Sequence, residues 1–251
     1  MEWRKLAPVL AQEFSVVMTD LRGYGDSSKP PDGENHAGYS KRAMAQDQVE
    51  VMEHLGFRKF AVVGHDRGGR VGHRLARDFP GRVTKLAVID IVPTYTVYHD
   101  LTQQSATALF HWFLLIQPEP FPETLIGNSA DFFLKSMMLR GAHPAWMEKE
   151  ALDEYLRCFR DPAHIHAMCE DYRASASIDL AHDEANLSER IACPLLVLWG
   201  KEGPIGRFYN PLDVWRQRAS NVKGQQIPGR HFLPEESPRE VLEQLKSFLH
   251  S

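Results

Sequence analysis

The chain has 251 residues, 43% of them hydrophobic and 25% charged, with 29 basic and 33 acidic side chains and a net charge of −4. These values are ordinary for a folded globular protein, exclude collagen, coiled coil and disorder, and argue against nucleic-acid binding. Because no stretch approaches the ~18 uncharged apolar residues of a membrane span and the N-terminus lacks a secretory signal, we expect a cytoplasmic protein without a membrane partner.

The first third of the chain alternates segments of helical and strand-like periodicity. The predicted elements are a helix over residues 3–14, a strand over 15–19, a helix over 40–55, a strand over 59–63, a helix over 66–78 and a strand over 83–89. Strands that alternate with long helices predict βαβ units. The expected fold is therefore an α/β fold with a mostly parallel sheet covered by helices.

This alternation stops after Pro93. Residues 98–183 show no clean strand pattern and are rich in aromatic residues, methionine and histidine, so we interpret them as a helical insertion. The pattern resumes with strands over 194–199 and 222–227 and a helix over 238–250. The predicted organisation is a core formed by residues 1–97 and 184–251 and a helical cap formed by residues 98–183.

Three cysteines, Cys158, Cys169 and Cys193, are widely spaced and odd in number. This arrangement indicates neither a disulfide framework nor a zinc site, so we expect reduced thiols. Nothing else in the sequence indicates a metal or an organic cofactor, and none is expected.

The most informative string is Gly64-His65-Asp66-Arg67-Gly68, which joins a predicted strand directly to a predicted helix. In a G-x-nucleophile-x-G turn the central residue is strained and exposed above the sheet, and the flanking glycines allow close packing. The glycine spacing does not match a dinucleotide or phosphate loop. The central Asp66 could displace a leaving group from saturated carbon and form an enzyme ester. A plain tight turn is the alternative.

An aspartate nucleophile needs a base that activates water and an acid that orients the base. Of the twelve histidines, His231 is the best placed, on a loop between the last predicted strand and the last helix. Asp90 directly follows the strand over 83–89, at a carboxyl end where sites form in parallel sheets. Asp90 is the preferred acid, and Glu202, after the penultimate strand, is the alternative.

Arg67 and Arg70 share a face at the start of the helix that begins with Asp66. Cations are unfavourable at a helix N-terminus, so two guanidiniums there suggest a bound anion. A carboxylate matches their planar geometry. The alternative for one or both arginines is that the side chain pairs with acidic side chains of the protein or points to solvent.

Six segments distributed over nearly the whole chain resemble the fluoroacetate dehalogenases, which are α/β hydrolases related to haloalkane dehalogenases and epoxide hydrolases. The segments are DLRGYGDSSKP, GHDRGGR, LAVIDIVPTY, HWFLLIQPEPFPE, MCEDYRA and GRHFLPEE. The turn alone is weakly specific, but Asp66-Arg67 combined with His111-Trp112 and Tyr172 is strongly so. The resemblance implies an α/β-hydrolase fold with a cap, a small haloacid substrate, no cofactor and, as a suggestion, a homodimer.

The resemblance also assigns a role to each matching residue. They are the nucleophile Asp66, the water-activating His231 and Asp90, the carboxylate-binding Arg67 and Arg70, and the halide-binding His111, Trp112 and Tyr172. Imidazole, indole and phenol groups are suitable donors to a departing halide, and packing within an aromatic core is the alternative for them. The implied reaction converts fluoroacetate, chloroacetate or another 2-haloacid to the 2-hydroxyacid (glycolate from a haloacetate) and halide through an aspartyl ester.

The front of the chain departs from that pattern. The backbone N–H of Arg67 is one expected oxyanion donor, but the second usually lies on a loop after an earlier strand, and neither precedes Trp3. We therefore expect N-terminal strands of the sheet to be missing.

Two other functions stay open. One is an epoxide hydrolase or haloalkane dehalogenase, although Arg67 replaces the tryptophan common after the nucleophile in those relatives. The other is a catalytically impaired α/β-hydrolase binding protein that lacks the N-terminal oxyanion loop.

Overall fold

A parallel β-sheet lies at the centre of the computed structural model, which describes residues 1–139 and 144–251. The strands of these residues are β1 (Phe60–His65), β2 (Val83–Ile89), β3 (Leu195–Gly200) and β4 (Val222–Ile227). They are hydrogen-bonded in the spatial order β1-β2-β3-β4, and every pair is parallel. The α/β fold class and the corresponding four strand predictions are confirmed.

Helices surround the sheet and fill the connections between its strands. Before β2 they are two 3₁₀ helices (Glu2–Lys5 and Glu34–Tyr39), α1 (Ala7–Leu10), α2 (Lys41–His54) and α3 (Asp66–Asp78). Between β2 and β3 they are α4 (Thr94–His99), α5 (Gln103–Ala108), α6 (Phe110–Leu115), α7 (Phe121–Gly127), α8 (Ala130–Leu139), α9 (Lys149–Phe159), α10 (Pro162–Ala176) and α11 (Ile178–Ala185). After β3 they are α12 (Pro204–Phe208), α13 (Pro211–Arg216), α14 (Leu233–Glu236) and α15 (Pro238–His250). Within the described ranges, no helix is both long enough and apolar enough to cross a bilayer.

The two faces of the sheet carry separate apolar clusters because successive side chains of a strand point in opposite directions. In β2, Leu86 and Val88 belong to a cluster with residues of α2 and α3. Ala87 and Ile89 belong to a second cluster with residues of α1 and α15. All four side chains are fully buried, as expected for a parallel sheet covered on both faces.

The described elements between β2 and β3 are all helices. We refer to Thr94–Ala185 as the helical insertion. Its aromatic side chains, including Trp112 and Tyr172, form a third apolar cluster with Val92, which lies just beyond the end of β2. The insertion therefore packs beside the carboxyl end of this strand, where sites form in parallel sheets.

Two predictions for the N-terminal region are corrected by the structure. Residues 15–19 are exposed and form no strand. A strand is stable only when it is hydrogen-bonded to a neighbouring strand, and here a cavity separates these residues from β1. The helix predicted over residues 3–14 is broken into a 3₁₀ helix and α1. Pro8 explains the break. Proline has no backbone N–H to donate, and its ring clashes with the carbonyl of the residue four positions earlier, so it is tolerated only in the first turn of a helix.

Candidate active site

The turn at Asp66 has a strained backbone. Asp66 directly follows β1 as the first residue of α3, and its φ of 41° lies in the left-handed region that non-glycine residues rarely adopt. A Cβ on Gly64 would lie 2.4 Å from the backbone carbon of Gly68, so this approach of strand to helix requires glycine. A Cβ on Gly68 would face open space. The second glycine of this turn at which a Cβ would lie too close to its neighbours is Gly69. The sequence prediction that both flanking glycines serve close packing is therefore right for Gly64 and wrong for Gly68.

His231 lies between two carboxylates. Its Nδ1 is 2.7 Å from Asp90 Oδ2, and its Nε2 is 3.6 Å from Asp66 Oδ2. The Asp90 side chain is fully buried, and its Oδ1 accepts a hydrogen bond of 2.8 Å from the backbone N–H at the end of β3. Glu202 instead accepts a hydrogen bond of 2.7 Å from a backbone N–H in the turn before His231. Of the two candidate acids, the structure thus brings Asp90 to the imidazole.

The charges in this group support one another. Burial alone would favour neutral His231, but the contacts with Asp66 and Asp90 outweigh it and raise the pKa of the imidazole to about 10. Burial also opposes ionisation of Asp66. His231, Arg67 and Arg70 outweigh that effect and hold the pKa of the carboxyl well below its usual range. At neutral pH an imidazolium therefore lies beside an ionised carboxylate, which is the form that can act as a nucleophile.

Arg67 pairs with a buried acid and keeps one N–H group unused. Its Nε donates to Asp171 Oδ2 at 2.7 Å, and its Nη2 donates to Ser175 Oγ at 3.2 Å. Its Nη1 is buried and has no hydrogen-bond partner among the described residues. The guanidinium carbon lies 3.8 Å from the centroid of the Tyr172 ring. Arg67 thus makes the protein ion pair considered in the sequence analysis and still offers a donor to an anion.

Arg70 is held mainly by neutral groups. Its Nη1 donates to the carbonyl of Val92 at 2.9 Å and to Thr94 Oγ1 at 3.2 Å. Its Nε is buried, has no hydrogen-bond partner in the described part of the chain, and is 4.0 Å from Asp66 Oδ1. A buried cation with an unmet N–H is an environment that an anionic ligand would complete.

The three residues expected to bind halide pack together in the helical insertion. His111 and Trp112 lie on α6, and their rings meet Tyr172 of α10 edge to face, with centroids 5.9 Å and 5.5 Å away. Trp112 also lies against Arg70, 4.5 Å from the guanidinium carbon to the ring centroid. These aromatic side chains therefore belong to the apolar core of the insertion and border the arginines at the same time.

All the site residues identified in the sequence line one cavity of about 920 Å³. They are Asp66, Arg67, Arg70, Asp90, His111, Trp112, Tyr172 and His231. The cavity lies between the carboxyl end of the sheet and the helical insertion, and it continues past β1 to residues 15–20. The fold thus brings together side chains from both parts of the chain at the edge of the sheet where ligands usually bind.

Three further residues support the site and are missed by sequence reasoning. Glu236 accepts hydrogen bonds of 2.7–2.9 Å from the backbone N–H groups of residues 230–232, so it fixes the loop that carries His231. His65 packs against the His231 ring with a centroid distance of 4.7 Å. Asp171 binds Arg67. An acidic first turn after the histidine loop is a usable signal for Glu236. Nothing in the sequence pairs Asp171 with an arginine 104 positions away.

One group of side chains elsewhere has the spacing of metal ligands. Asp32, His166 and Glu170 place ligand atoms within 4.8 Å of one another. His166 Nε2 is 3.1 Å from Asp32 Oδ1, and Glu170 bonds to His36 at 2.6 Å and to Arg173 at 2.8 Å. These hydrogen bonds and the neighbouring guanidinium account for the group without a metal ion.

The chain is similar in sequence and in fold to known α/β hydrolases. The family described as alpha/beta hydrolase fold matches residues 1–238. Fluoroacetate dehalogenase of Burkholderia sp. is 45% identical over 98% of this chain and 82% of its own length. Soluble epoxide hydrolase of Corynebacterium sp. (strain C12) is 30% identical over 98% of this chain and 85% of its own length. The crystal structure of ALR0039, an α/β hydrolase from Nostoc sp. PCC 7120, is 55% identical, has a TM-score of 0.97 and matches 99% of this chain and 86% of that chain.

Proposed function

Because the chain belongs to the fluoroacetate dehalogenase family of the α/β hydrolases, we propose that it hydrolyses 2-haloacids. The proposed substrates are fluoroacetate, chloroacetate and related 2-haloacids, and the products are the 2-hydroxyacid and halide. One observation carries the proposal: Asp66 lies between a charged histidine and two buried arginines that each keep an unused N–H group.

The two arginines favour an acid over a neutral substrate. Arg67 Nη1 and Arg70 Nε are buried and unpaired among the described residues. Each unmet buried donor costs about 1–3 kcal/mol, and more when the group is charged. A substrate carboxylate has an oxygen for each of the two donors, whereas an epoxide has a single oxygen and a haloalkane has none. The substrate carboxylate is therefore assigned to this pair of guanidiniums.

In the proposed first step an Asp66 oxygen attacks the α-carbon of the haloacid. A carbon–oxygen bond forms while the carbon–halogen bond breaks, and the halide leaves with the bonding electron pair. Fluoride leaves only if its developing charge is stabilised by fixed donors in a site that excludes bulk water. His111, Trp112 and Tyr172 are the proposed donors. Burial raises the pKa of Tyr172, so its hydroxyl keeps the proton that it would donate.

In the proposed second step the ester is hydrolysed. Once Asp66 is uncharged, His231 releases its proton to solvent, and the neutral imidazole, oriented by Asp90, removes a proton from a water molecule whose oxygen attacks the carboxyl carbon of Asp66. The tetrahedral intermediate then collapses, its hydroxyl proton passes to the departing oxygen, and the 2-hydroxyacid leaves, so that the water oxygen stays in the Asp66 carboxylate and His231 is protonated again. The backbone N–H of Arg67, in the first turn of α3, is one proposed donor to the oxyanion.

A substrate panel tests the proposal. Halide release is measured with fluoroacetate, chloroacetate and a 1-haloalkane, and diol formation is measured with styrene oxide. We expect turnover of the two haloacids only. The Corynebacterium relative supports epoxide hydrolysis as the second candidate, and turnover of styrene oxide alone would establish it. No halide from either haloacid at high enzyme concentration would refute the dehalogenase proposal and favour a binding protein.

A variant pair tests the nucleophile. Asp66→Asn should abolish halide release, and asparagine tolerates the positive φ at this position. Asp78→Asn is the matched control, because Asp78 ends the same helix and pairs with Arg42 and Arg74 away from the cavity. Retained halide release in Asp66→Asn would contradict the role of Asp66.

A further inference from the structure

The contacts of Asp171 concern how Arg67 is held in place. Asp171 lies on α10 beside Tyr172 and is fully buried. Its Oδ2 accepts hydrogen bonds from Arg67 Nε at 2.7 Å and from the Tyr24 hydroxyl at 2.6 Å. Its Oδ1 accepts a hydrogen bond from Lys41 Nζ. One carboxylate of the helical insertion thus joins side chains from three segments of the remaining chain.

The way in which Asp171 is shared decides which N–H groups of Arg67 stay available. A free carboxylate commonly binds a guanidinium with both oxygens and uses two of its N–H directions. Here Lys41 occupies the second oxygen, so Asp171 contacts Arg67 with one oxygen only. Ser175 takes Nη2, and Nη1 is left buried without a partner in the described part of the chain.

We propose that Asp171 is a positioning residue for Arg67. Asp171 is itself held by hydrogen bonds from Lys41 and Tyr24, and it fixes the Arg67 guanidinium so that Nη1 points to the carboxylate of the haloacid. An unrestrained arginine side chain has many rotamers, and binding substrate would then require ordering one of them. This inference rests on the proposed function, because it assigns the unused N–H to the substrate carboxylate.

A purely electrostatic role for Asp171 would predict the opposite result. Removing a buried negative charge beside Arg67 makes the cavity more positive, which would strengthen the attraction for an anionic substrate and lower KM. Removing a positioning contact weakens substrate binding and raises KM. The sign of the change in KM therefore separates the two roles.

The test compares Asp171→Asn with Asp179→Asn. Asparagine offers one oxygen where Arg67, Lys41 and Tyr24 use two, so Asp171→Asn must lose part of this contact set. Asp179 is the matched control, because it is buried and binds the same Lys41 at 3.2 Å, whereas the hydrogen bonds of Arg67 within the described ranges go to Asp171 and Ser175. Both variants remove one carboxylate from the same buried group.

For Asp171→Asn we expect KM for chloroacetate to rise about tenfold or more and kcat to change less than about threefold. This is the pattern expected when an interaction of equal strength in the ground state and the transition state is lost. Asp179→Asn should leave KM within about twofold, whatever its loss of thermal stability. An unchanged or lower KM in Asp171→Asn, or an equal rise in both variants, would overturn the proposal.

Calorimetry separates this proposal from the proposed function. Chloroacetate is titrated into the Asp66→Asn protein with and without the additional Asp171→Asn substitution, and we expect about tenfold weaker binding in the double variant. If the wild type releases no halide but this difference is found, the dehalogenase proposal fails and the positioning role stands. Equal binding overturns the positioning role. No binding to the Asp66→Asn protein overturns the positioning role, while the dehalogenase proposal is still decided by halide release from the wild type.

Discussion

Replacing Asp66 by asparagine is expected to lower the pKa of His231. Two carboxylates raise that pKa to about 10: Asp90 at 2.7 Å from Nδ1 and Asp66 at 3.6 Å from Nε2. Asparagine keeps the shape of the side chain and removes its charge. The ester formed on Asp66 in the proposed reaction is uncharged in the same way, so the variant imitates the state in which His231 has to act as a base.

The size of the decrease in the pKa of His231 follows from the contact that is lost and the contact that remains. A hydrogen bond or close ion pair with a charged group contributes about 1.5–3 kcal/mol, and 1.36 kcal/mol corresponds to one pKa unit, so losing Asp66 should lower the pKa by about 1–2 units. The contact with Asp90 is unchanged in the variant, so the pKa of His231 should stay above the 6.5 of an unperturbed histidine. A base with a pKa closer to neutrality is more effective in removing a proton from water.

Titration of histidine resonances by NMR measures this shift. The His231 signal is assigned by its absence from the His231→Gln protein and followed through the neutral and alkaline range. Glu202→Gln is the matched control, because Glu202 binds the turn before His231 but not the imidazole. A His231 pKa that is equal in the wild type and Asp66→Asn, or one that also falls in Glu202→Gln, would refute this account of the site.

The same shift has a consequence for stability. Because the pKa of His231 is higher in the folded protein than the 6.5 of an unfolded chain, its ion pairs contribute stability that is complete below pH 6.5 and lost as pH rises through about 10. In Asp66→Asn this loss should occur at lower pH. Thermal midpoints measured across alkaline pH should therefore begin to fall earlier for the variant, and superimposable pH profiles would contradict the assignment.

Three other changes are expected to have distinct results. His231→Gln should release about one halide per site and then stop, with a carboxymethyl ester on Asp66 visible in a peptide mass spectrum; continued turnover would exclude His231 as the base. Tyr172→Phe should slow fluoroacetate about tenfold more than chloroacetate, because fluoride depends more on hydrogen bonds as it leaves; equal slowing in halide-release assays would exclude the hydroxyl as a specific donor. Gly64→Ala should lower the free energy of unfolding by about 2–3 kcal/mol, because the added Cβ would lie 2.4 Å from the backbone of Gly68. Gly68→Ala should change it by less than about 1 kcal/mol, because a Cβ at this position faces open space. Equal urea midpoints for the two variants would contradict this packing.

Much of the sheet is predictable because its strands have strong local signals. β2 ends in an apolar run over residues 86–89, and the residues that follow it and β1 include Asp90 and Asp66. Because the carboxyl ends of parallel strands share one edge of a sheet, the sequence alone then predicts that these two residues lie close together. The segment over residues 15–19 has the same local pattern but forms no strand. Local pattern alone does not supply the neighbouring strand that pairing requires.

The sequence is less informative about residues that act through distant partners. The choice between Asp90 and Glu202 depends on which carboxylate reaches His231, and both follow strands of the sheet. The contact of Asp171 with Arg67 depends on how α10 of the insertion packs on α3 of the sheet region. Such contacts are set by tertiary packing, for which periodicity and spacing within one element contain no signal.

The charges of the site are nearly balanced before substrate binds. Asp90 faces His231 at 2.7 Å, Asp171 faces Arg67 at 2.7 Å, and Asp66 faces Arg70 at 4.0 Å. A haloacid adds one negative charge, and the available groups to receive it are the unused N–H groups of the two arginines. The free energy of binding then depends on how well these groups are placed, since no surplus of cations attracts the substrate.

In the proposed first step the total charge of the site stays constant, because Asp66 loses one negative charge as the halide gains one. The charge moves away from His231 and toward the aromatic donors. The guanidinium carbon of Arg67 lies 3.8 Å from the centroid of the Tyr172 ring and that of Arg70 lies 4.5 Å from the centroid of the Trp112 ring, so the guanidiniums proposed to hold the substrate also border the proposed halide region. Departure of the charge from Asp66 weakens the hold of His231 on its proton, so ester formation itself prepares the base for the second step.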